Sequence, residues 1–515
     1  MTSTRTLLLA TLLLAAPAVP AAPMDTSRAA AWFESHKERT PMLRQFLQRM
    51  PKGADLHSHI SGAVYAESYL KWAAEAGYCV DTQKLSILAT PCSEGGNVVP
   101  AGKLTSATFA ALVDRMSTRN LAFAGRSGHD QFFDSFAIFG PASSIPGRQA
   151  AMLAELADRA AAQHTQHLEL MTTLQGSAVK QLGSGLPWQG DKSDTDFARR
   201  RQWLLDKGLG KLVEAGRSDL DKLDAAYGPL QGCDTPAAKP ACGVSVRWLQ
   251  QSSRTNPPEQ VFAQLAYAFE LAKADKRVVG LNLVAPEDDL VALRDYRLHM
   301  EMIGFLGRLA PDVNIALHAG ELALGMVPPG NLHSHIRDAV TVAGARRIGH
   351  AVDIGYEDGA RELLQTMKDK GVAAEICLTS NDVILGIKGK DHPLPDYLAA
   401  GVPVVLASDD EGVSRIDLTN EYLRAARDYG LGYRQLKQLS RNSLSYSFLP
   451  GPGLWHDPAI GSPAPACQKD AIGAAKPSDA CAAFLATSEK ATRQWALEAE
   501  FETFEKLPDW TRSGR

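Results

Sequence analysis

Short apolar runs that read as strands alternate with stretches of helical periodicity over most of this chain. Eight runs qualify, at 53–59, 166–172, 244–251, 278–285, 313–319, 346–352, 372–379 and 402–408, and several are apolar almost throughout, as in Val402-Pro-Val-Val-Leu-Ala407. A strand that is apolar on both faces is covered on both sides, the usual condition of a parallel sheet. Eight such strands alternating with helices predict an α/β fold, a (β/α)8 TIM barrel, whose functional groups gather at the C-terminal ends of the strands. Ahead of the first strand, 26–50 predicts a helix, because Ala29, Trp32, Phe33, Leu43, Phe46, Leu47 and Met50 recur at helical spacing among charges.

The intervals are uneven. Between the first two strands lie a predicted helix near 105–123 and an aromatic cluster, Phe132, Phe133, Phe136 and Phe139. Between the second and third lie Leu186-Pro-Trp188, a charged helix and a loop with Cys233 and Cys242. Insertions at strand C-terminal ends commonly shape a pocket, so the phenylalanines are either a lid over a flat apolar ligand or ordinary helix packing. Beyond the last strand, 418–449 reads as helical, 450–484 is rich in Pro, Ala and Cys, and 487–506 predicts a final helix. The expected organisation is a signal peptide at 1–22, a helical segment at 23–50, a barrel at 51–450 with helical and disulfide-bearing insertions, and a C-terminal loop and helix at 451–515 packed on the barrel.

The signal peptide follows from Arg5, the apolar run Leu7 to Ala16 and the small residues Pro17-Ala-Val-Pro-Ala-Ala22, a run too short to span a bilayer. It predicts a secreted or periplasmic protein. Six of the seven cysteines fall into close pairs, Cys79 with Cys92, Cys233 with Cys242 and Cys467 with Cys481, as expected of loop disulfides in an oxidising compartment. Cys377, in the apolar run Ala373-Ala-Glu-Ile-Cys-Leu378, reads as a buried free thiol. With 54 Lys+Arg against 58 Asp+Glu, a net charge of −4 and no long single-sign run, the chain offers nothing to nucleic acid or an anionic membrane. Oligomeric state is not legible.

Chemistry concentrates at four strand ends. Asp55-Leu-His57-Ser-His59 ends the first strand, and residues two apart on a strand share a face, so both imidazoles can address one metal. Ala316-Leu-His318-Ala-Gly-Glu321 ends the fifth, with a third imidazole and a carboxylate that can reach over the pocket as a proton donor. Arg347-Ile-Gly-His350 ends the sixth, and Ser408-Asp409-Asp410 the eighth, where one carboxylate can complete a metal shell and the other can bind substrate. Three nitrogens and one oxygen suit Zn2+ with a position left for water. The fourth strand, Val279-Gly-Leu-Asn-Leu-Val-Ala-Pro-Glu-Asp288, has no lysine to bridge a second metal, so one ion per chain is expected. His333-Ser-His335 reads as a loop entering a helix, where the two rings diverge and are structural or exposed.

Met50-Pro-Lys-Gly-Ala-Asp-Leu-His-Ser-His59, His318-Ala-Gly-Glu321, Arg347-Ile-Gly-His350, Cys377-Leu-Thr-Ser-Asn381 and Ser408-Asp-Asp410 occur in this order. Together they resemble the motifs of the adenosine deaminase family of the amidohydrolase superfamily, especially its secreted growth-factor-related branch, in outline over 50–450. The resemblance implies zinc-dependent deamination of adenosine, a purine nucleoside, with His57, His59, His318 and Asp409 holding zinc. It implies that Glu321 protonates purine N1, His350 positions or deprotonates the attacking water, Asp410 bonds N7 and the Gly280 backbone bonds N3. Where that family places an aspartate on the ribose 5′-hydroxyl, two residues past the second histidine, this sequence has Ser61. Asn282 stands where the family often has aspartate, and no role is assigned to it.

Ser61 keeps a second reading open, a deaminase of adenine or of a 5′-modified adenosine such as methylthioadenosine. A third reading, a secreted nucleoside-binding or signalling protein, is opposed by the complete set of His57, His59, His318, Glu321, His350, Asp409 and Asp410, since binding alone needs no proton donor beside a metal.

Overall fold

The structure is a computed structural model that describes residues 28–511 apart from 91, 94, 190, 191 and 460. The expected signal peptide lies outside the described residues, as do the first positions of the helix expected at 26–50. Strands β1 (Gly53–His59), β2 (Thr165–Thr172), β3 (Ser245–Ser253), β4 (Val278–Val284), β5 (Asn314–Ala319), β6 (Arg347–His350), β7 (Ala373–Ile376) and β8 (Val404–Leu406) lie side by side in chain order. Every pairing is parallel. The cylinder closes between Ser58 and Asp409, where Asp409 N donates to His57 O at 2.9 Å and His59 N to Asp409 O at 3.2 Å. This is the (β/α)8 barrel, with the strand positions expected.

The side chains of the strands that meet inside the barrel are not all apolar. Arg347 of β6 pairs with Glu169 of β2 at 2.7 Å and with Glu375 of β7 at 2.5 Å, and the Phe448 ring lies 3.7 Å from its guanidinium. Strands β2 and β6 are not neighbours, so the first pair crosses the interior. Burial raises the Glu169 carboxyl, but Arg347 and His167 outweigh it and bring it down to about 2. A buried ion pair persists only when hydrogen bonds replace the lost hydration, and it sets side-chain positions more than it adds stability.

Two long helices expected from periodicity are broken. The 26–50 segment forms Arg28–His36 and Thr40–Arg49, with Pro41 in the first turn of the second, where proline is tolerated because its missing N–H would have no helical partner. The 418–449 segment forms Leu418–Asp428 and Tyr433–Ser445. The helix near 105–123 stops at Arg115, leaving a short 3-10 turn at Leu121–Phe123. Helix α1 (Gly128–Ser143) carries the phenylalanine cluster. Helix α2 (Leu378–Leu385) follows β7. The last long helix, α3 (Glu489–Glu505), lies beneath the N-terminal ends of β2 and β3, where Arg493 donates to Gly243 O at 2.9 Å and Glu489 accepts from Arg247 at 2.5 Å. Among the described residues no helix is long and apolar enough to cross a membrane.

The three disulfides form as paired above, and Cys377 is free and buried. Alkylation of denatured, unreduced protein is therefore expected to label one thiol per chain, and labelling of several would overturn the pairing.

Candidate metal centre and active site

His57 and His59 come from β1, His318 from β5, and Asp409 from the turn just after β8. Their ligand atoms all lie within 4.8 Å of one another, and all four residues are buried. His59 Nε2 is 3.3 Å from His318 Nε2 and 3.3 Å from Asp409 Oδ1, and His57 Nε2 is 3.6 Å from the same oxygen. Each ring is held by its other nitrogen. His57 Nδ1 meets Glu375 Oε2 at 2.7 Å, and His318 Nδ1 meets the Asn282 oxygen at 2.8 Å, which also accepts from the His318 backbone at 3.0 Å; the Gln251 amide nitrogen Nε2 lies 2.5 Å from His59 Nδ1. His57 and His318 face acceptors at Nδ1, and a ring that donates through Nδ1 leaves a lone pair on Nε2, the arrangement that outer groups impose on metal-bound histidines.

The residues fit a metal. Among the described residues His57 Nε2 is buried without a hydrogen-bond partner, and an orphaned nitrogen at the meeting point of two imidazoles and a carboxylate is what a cation would satisfy. Three imidazole nitrogens and one carboxylate oxygen are a donor set that suits a divalent ion such as zinc. Burial, reinforced by His57 and His350, holds His318 well below the usual histidine range, so its ring is neutral and ready to ligate. His57 differs: burial pushes it down, but the carboxylates of Asp409 and Glu375 outweigh this and lift it to about 10. A divalent cation entering the cluster would displace that proton. The Cys377 thiol lies within the same distance of His57, His350 and Asp409, but burial and Asp409 push its pKa well up, which keeps it a poor ligand.

Glu321 stands two residues past β5. Burial, then Asp409 and Glu287, push its carboxyl well above the usual range. The turn that carries it is pinned by Glu287, which accepts from Gly320 N at 3.1 Å and Glu321 N at 2.9 Å and is itself held by His335 Nδ1 at 2.6 Å. His335 is thus a buried support, stacked on Tyr296 at 3.6 Å, while His333 faces outward near Asp358. His350 Nε2 lies 3.5 Å from Glu321 Oε1, and burial pushes the His350 ring down to about 3. Asp410 sits so close to the chain that a Cβ on Gly62 would fall 1.5 Å from its Oδ1, and one on Gly349 would fall 2.5 Å from His57 Cε1. Both positions therefore require glycine. Four non-glycine residues at the C-terminal ends of strands are left-handed, Ala285 (φ 85°), His350 (φ 66°), Ala351 (φ 51°) and Asp409 (φ 59°), a strain of about 1–3 kcal/mol each that persists where surrounding contacts over-determine the backbone.

These groups open onto a cavity of about 370 Å³. His59, His318, Glu321, His350, Asp409 and Asp410 line one end, Ser61 and Gln251 lie beside them, and Phe132, Phe133, Phe136 with Val284, Ala285 and Pro286 form an apolar wall. Three of the four phenylalanines on α1 thus face the cavity, while Phe139 stacks on Tyr69 at 4.9 Å as ordinary packing.

Gly280 is not among the lining residues. It lies near the start of β4, paired with Asn314 at the start of β5, at the end of the barrel away from the cavity. The β4 residues that reach the cavity are Val284 and Ala285, because functional groups stand at the C-terminal ends of strands and Gly280 precedes that end by several residues. Asn282, Gln251, Glu375 and Glu287 were not legible as site residues. Each acts through a hydrogen bond to another strand or turn, and only Asn282 carried any signal, as a polar residue inside an apolar run.

Residues 217–454 match the adenosine deaminase family. An adenosine deaminase of Clostridium perfringens is 30% identical over 181 residues, covering 35% of this chain and 51% of that protein. An aminodeoxyfutalosine deaminase of Streptomyces coelicolor is 30% identical over 184 residues, covering 33% of this chain and 47% of that protein. The chain thus spans about half the length of the curated relatives it matches. The solved structure of arabidopsis ADAL complexed with GMP has a similar fold, with a TM-score of 0.51 at 21% identity, covering 79% of this chain and 94% of that one.

Proposed function

We propose, from the match of residues 217–454 to the adenosine deaminase family, that the protein is a zinc-dependent hydrolase converting adenosine, and 2′-deoxyadenosine, to inosine and ammonia. One observation carries the reading: Glu321, a buried carboxyl pushed well above its usual pKa, stands over a cluster of three histidines and an aspartate inside a cavity with an apolar wall. A binding protein has no use for a proton donor there. Zinc held by His57, His59, His318 and Asp409 would supply Lewis acidity that makes water nucleophilic near neutral pH.

This chain's own residues supply the rest. Attack of water at C6 breaks the conjugation of the purine, and a proton delivered to N1 by Glu321 prevents negative charge from accumulating there. His350 hydrogen-bonds the attacking oxygen. Asp410 bonds N7, a backbone contact to the ring from β4 would come from Ala285, and Phe132, Phe133 and Phe136 cover the flat base and keep bulk water out. Export is part of the proposal, on the strength of residues 1–22 and three disulfides, which suit an oxidising compartment.

Ser61 favours a broader substrate range. An aspartate there would be left buried and unpaired when the 5′-hydroxyl is replaced by a thioether, whereas an uncharged serine loses less. Metal-loaded protein incubated with adenosine, 2′-deoxyadenosine, adenine, methylthioadenosine and AMP, with loss of the aminopurine chromophore followed, tests both readings. The expected kcat/KM for methylthioadenosine is within about a hundredfold of that for adenosine, and Ser61→Asp should widen the gap. AMP should be poor, since no lysine or arginine is among the described residues lining the cavity. No turnover of any of the five would remove the deaminase reading, and an unchanged ratio in Ser61→Asp would remove Ser61 from the 5′ position.

A further inference from the structure

A backbone N–H can only donate, and one such group settles the protons along a buried chain of side chains. Leu394 N lies 3.1 Å from His392 Nδ1, so that nitrogen must present a lone pair. Burial, with Arg424 nearby, brings His392 down to about 4, so the ring is neutral and its single proton is on Nε2. His392 Nε2 lies 3.0 Å from the Asn381 oxygen, which accepts that proton's hydrogen bond. The other end of the carboxamide can then only donate, and it meets His350 Nδ1 at 3.1 Å. His392, Asn381 and His350 are all buried, so no solvent can substitute for a link that fails. At the far end His350 Nε2 has no hydrogen-bond partner among the described residues, and His350 lines the cavity beside Glu321.

We propose that His392 and Asn381 are positioning residues that lock His350 in the tautomer with its proton on Nε2, so that His350 donates a hydrogen bond to the attacking oxygen and cannot act as its base. The opposite tautomer would need the Asn381 carboxamide to turn over and His392 to exchange its own proton, which would bring N–H against the Leu394 N–H. Of the two roles that the motif resemblance leaves to His350, positioning the water or deprotonating it, the lock selects the first. The tautomer itself follows from the hydrogen-bond chain alone, and only its catalytic consequence rests on the deaminase reading.

The test is nitrogen-15 NMR of histidine-labelled, metal-loaded protein, in which couplings from each ring nitrogen to the ring protons report the tautomer and His350→Gln identifies the His350 signals. The expected result is a proton on Nε2 and a bare Nδ1 in both His350 and His392. A proton on Nδ1 of His350 overturns the proposal whatever substrate the protein turns over, and failure to deaminate any aminopurine would overturn the functional reading while leaving this measurement intact. Two variants add a kinetic arm. His392→Phe removes both links, and kcat should fall about 10- to 100-fold with KM and metal content kept, as is usual when an outer partner of a site residue is lost. His392→Gln, whose amide can donate to Asn381 and whose oxygen can accept from Leu394 N–H, should recover most of that loss. An undiminished kcat in His392→Phe, or equal losses in the two variants, would overturn the lock.

Discussion

Replacement of His318 by alanine is expected to leave a chain that folds but holds its metal poorly and turns over substrate at least about a thousandfold more slowly, the consequence of losing several kcal/mol of charge stabilisation. His318 is the candidate ligand whose environment leaves it least alternative. Burial and neighbouring imidazoles keep it neutral, the Asn282 oxygen accepts a hydrogen bond from its Nδ1–H, and its Nε2 lies close to His59 Nε2 and the Asp409 carboxylate. Without it, two imidazoles and one carboxylate remain, a site that has lost one of its three nitrogen donors and with it much of its hold on the ion. Metal counted per chain after dialysis and kcat/KM for adenosine make the measurement, with circular dichroism to show that the barrel persists. Asn282→Ala provides the graded comparison, since it leaves all four ligands and frees only the ring's orientation, and should cost about 10- to 100-fold. Full metal content and activity in His318→Ala would remove His318 from the ligand set.

Glu321→Gln isolates the proton. The amide has the shape of the acid, the Glu287 hydrogen bonds that pin the turn go to the backbone of Gly320 and Glu321, and none of the four candidate metal ligands is altered. Metal content and KM should therefore stay near those of the parent while kcat falls about 10²- to 10⁴-fold, the range lost with a positioned proton donor. The pH dependence carries the sign. A donor works in its protonated form, so a carboxyl whose pKa is raised by burial and by Asp409 stays competent to higher pH than an ordinary glutamate, and activity is lost as pH rises through that raised value. This limb should vanish from the kcat profile of Glu321→Gln. A variant with metal bound and parental kcat would show that another residue protonates the ring.

The eight strands, the three disulfides and the concentration of His, Glu and Asp at strands one, five, six and eight are legible in the amino-acid sequence. The reason is local: the pleat alternates side chains every second residue, so His57 and His59 had to share a face, and cysteines 9 to 14 residues apart in insertions are close in space however the loop bends. Helix ends are less legible. Periodicity continues across Lys37–Arg39 and across 429–432, and the break is made by what each half packs on.

Closure of the barrel decided the rest. Glu375 holds His57 across 318 residues, and Asn282 holds His318 across 36. No spacing rule links such pairs, because their contact depends on which strands become neighbours and at what height their side chains meet. Height is also why Gly280, on the right strand, is at the wrong end of it, and why Ala285 rather than Gly280 faces the cavity. The direction of each hydrogen bond around His350 was set in the same way. The sequence determined that a barrel would present imidazoles and carboxylates on one face, since strand period and chain order require it. The tertiary structure decided which nitrogen of each ring carries the proton, since that depends on a partner brought from elsewhere in the chain.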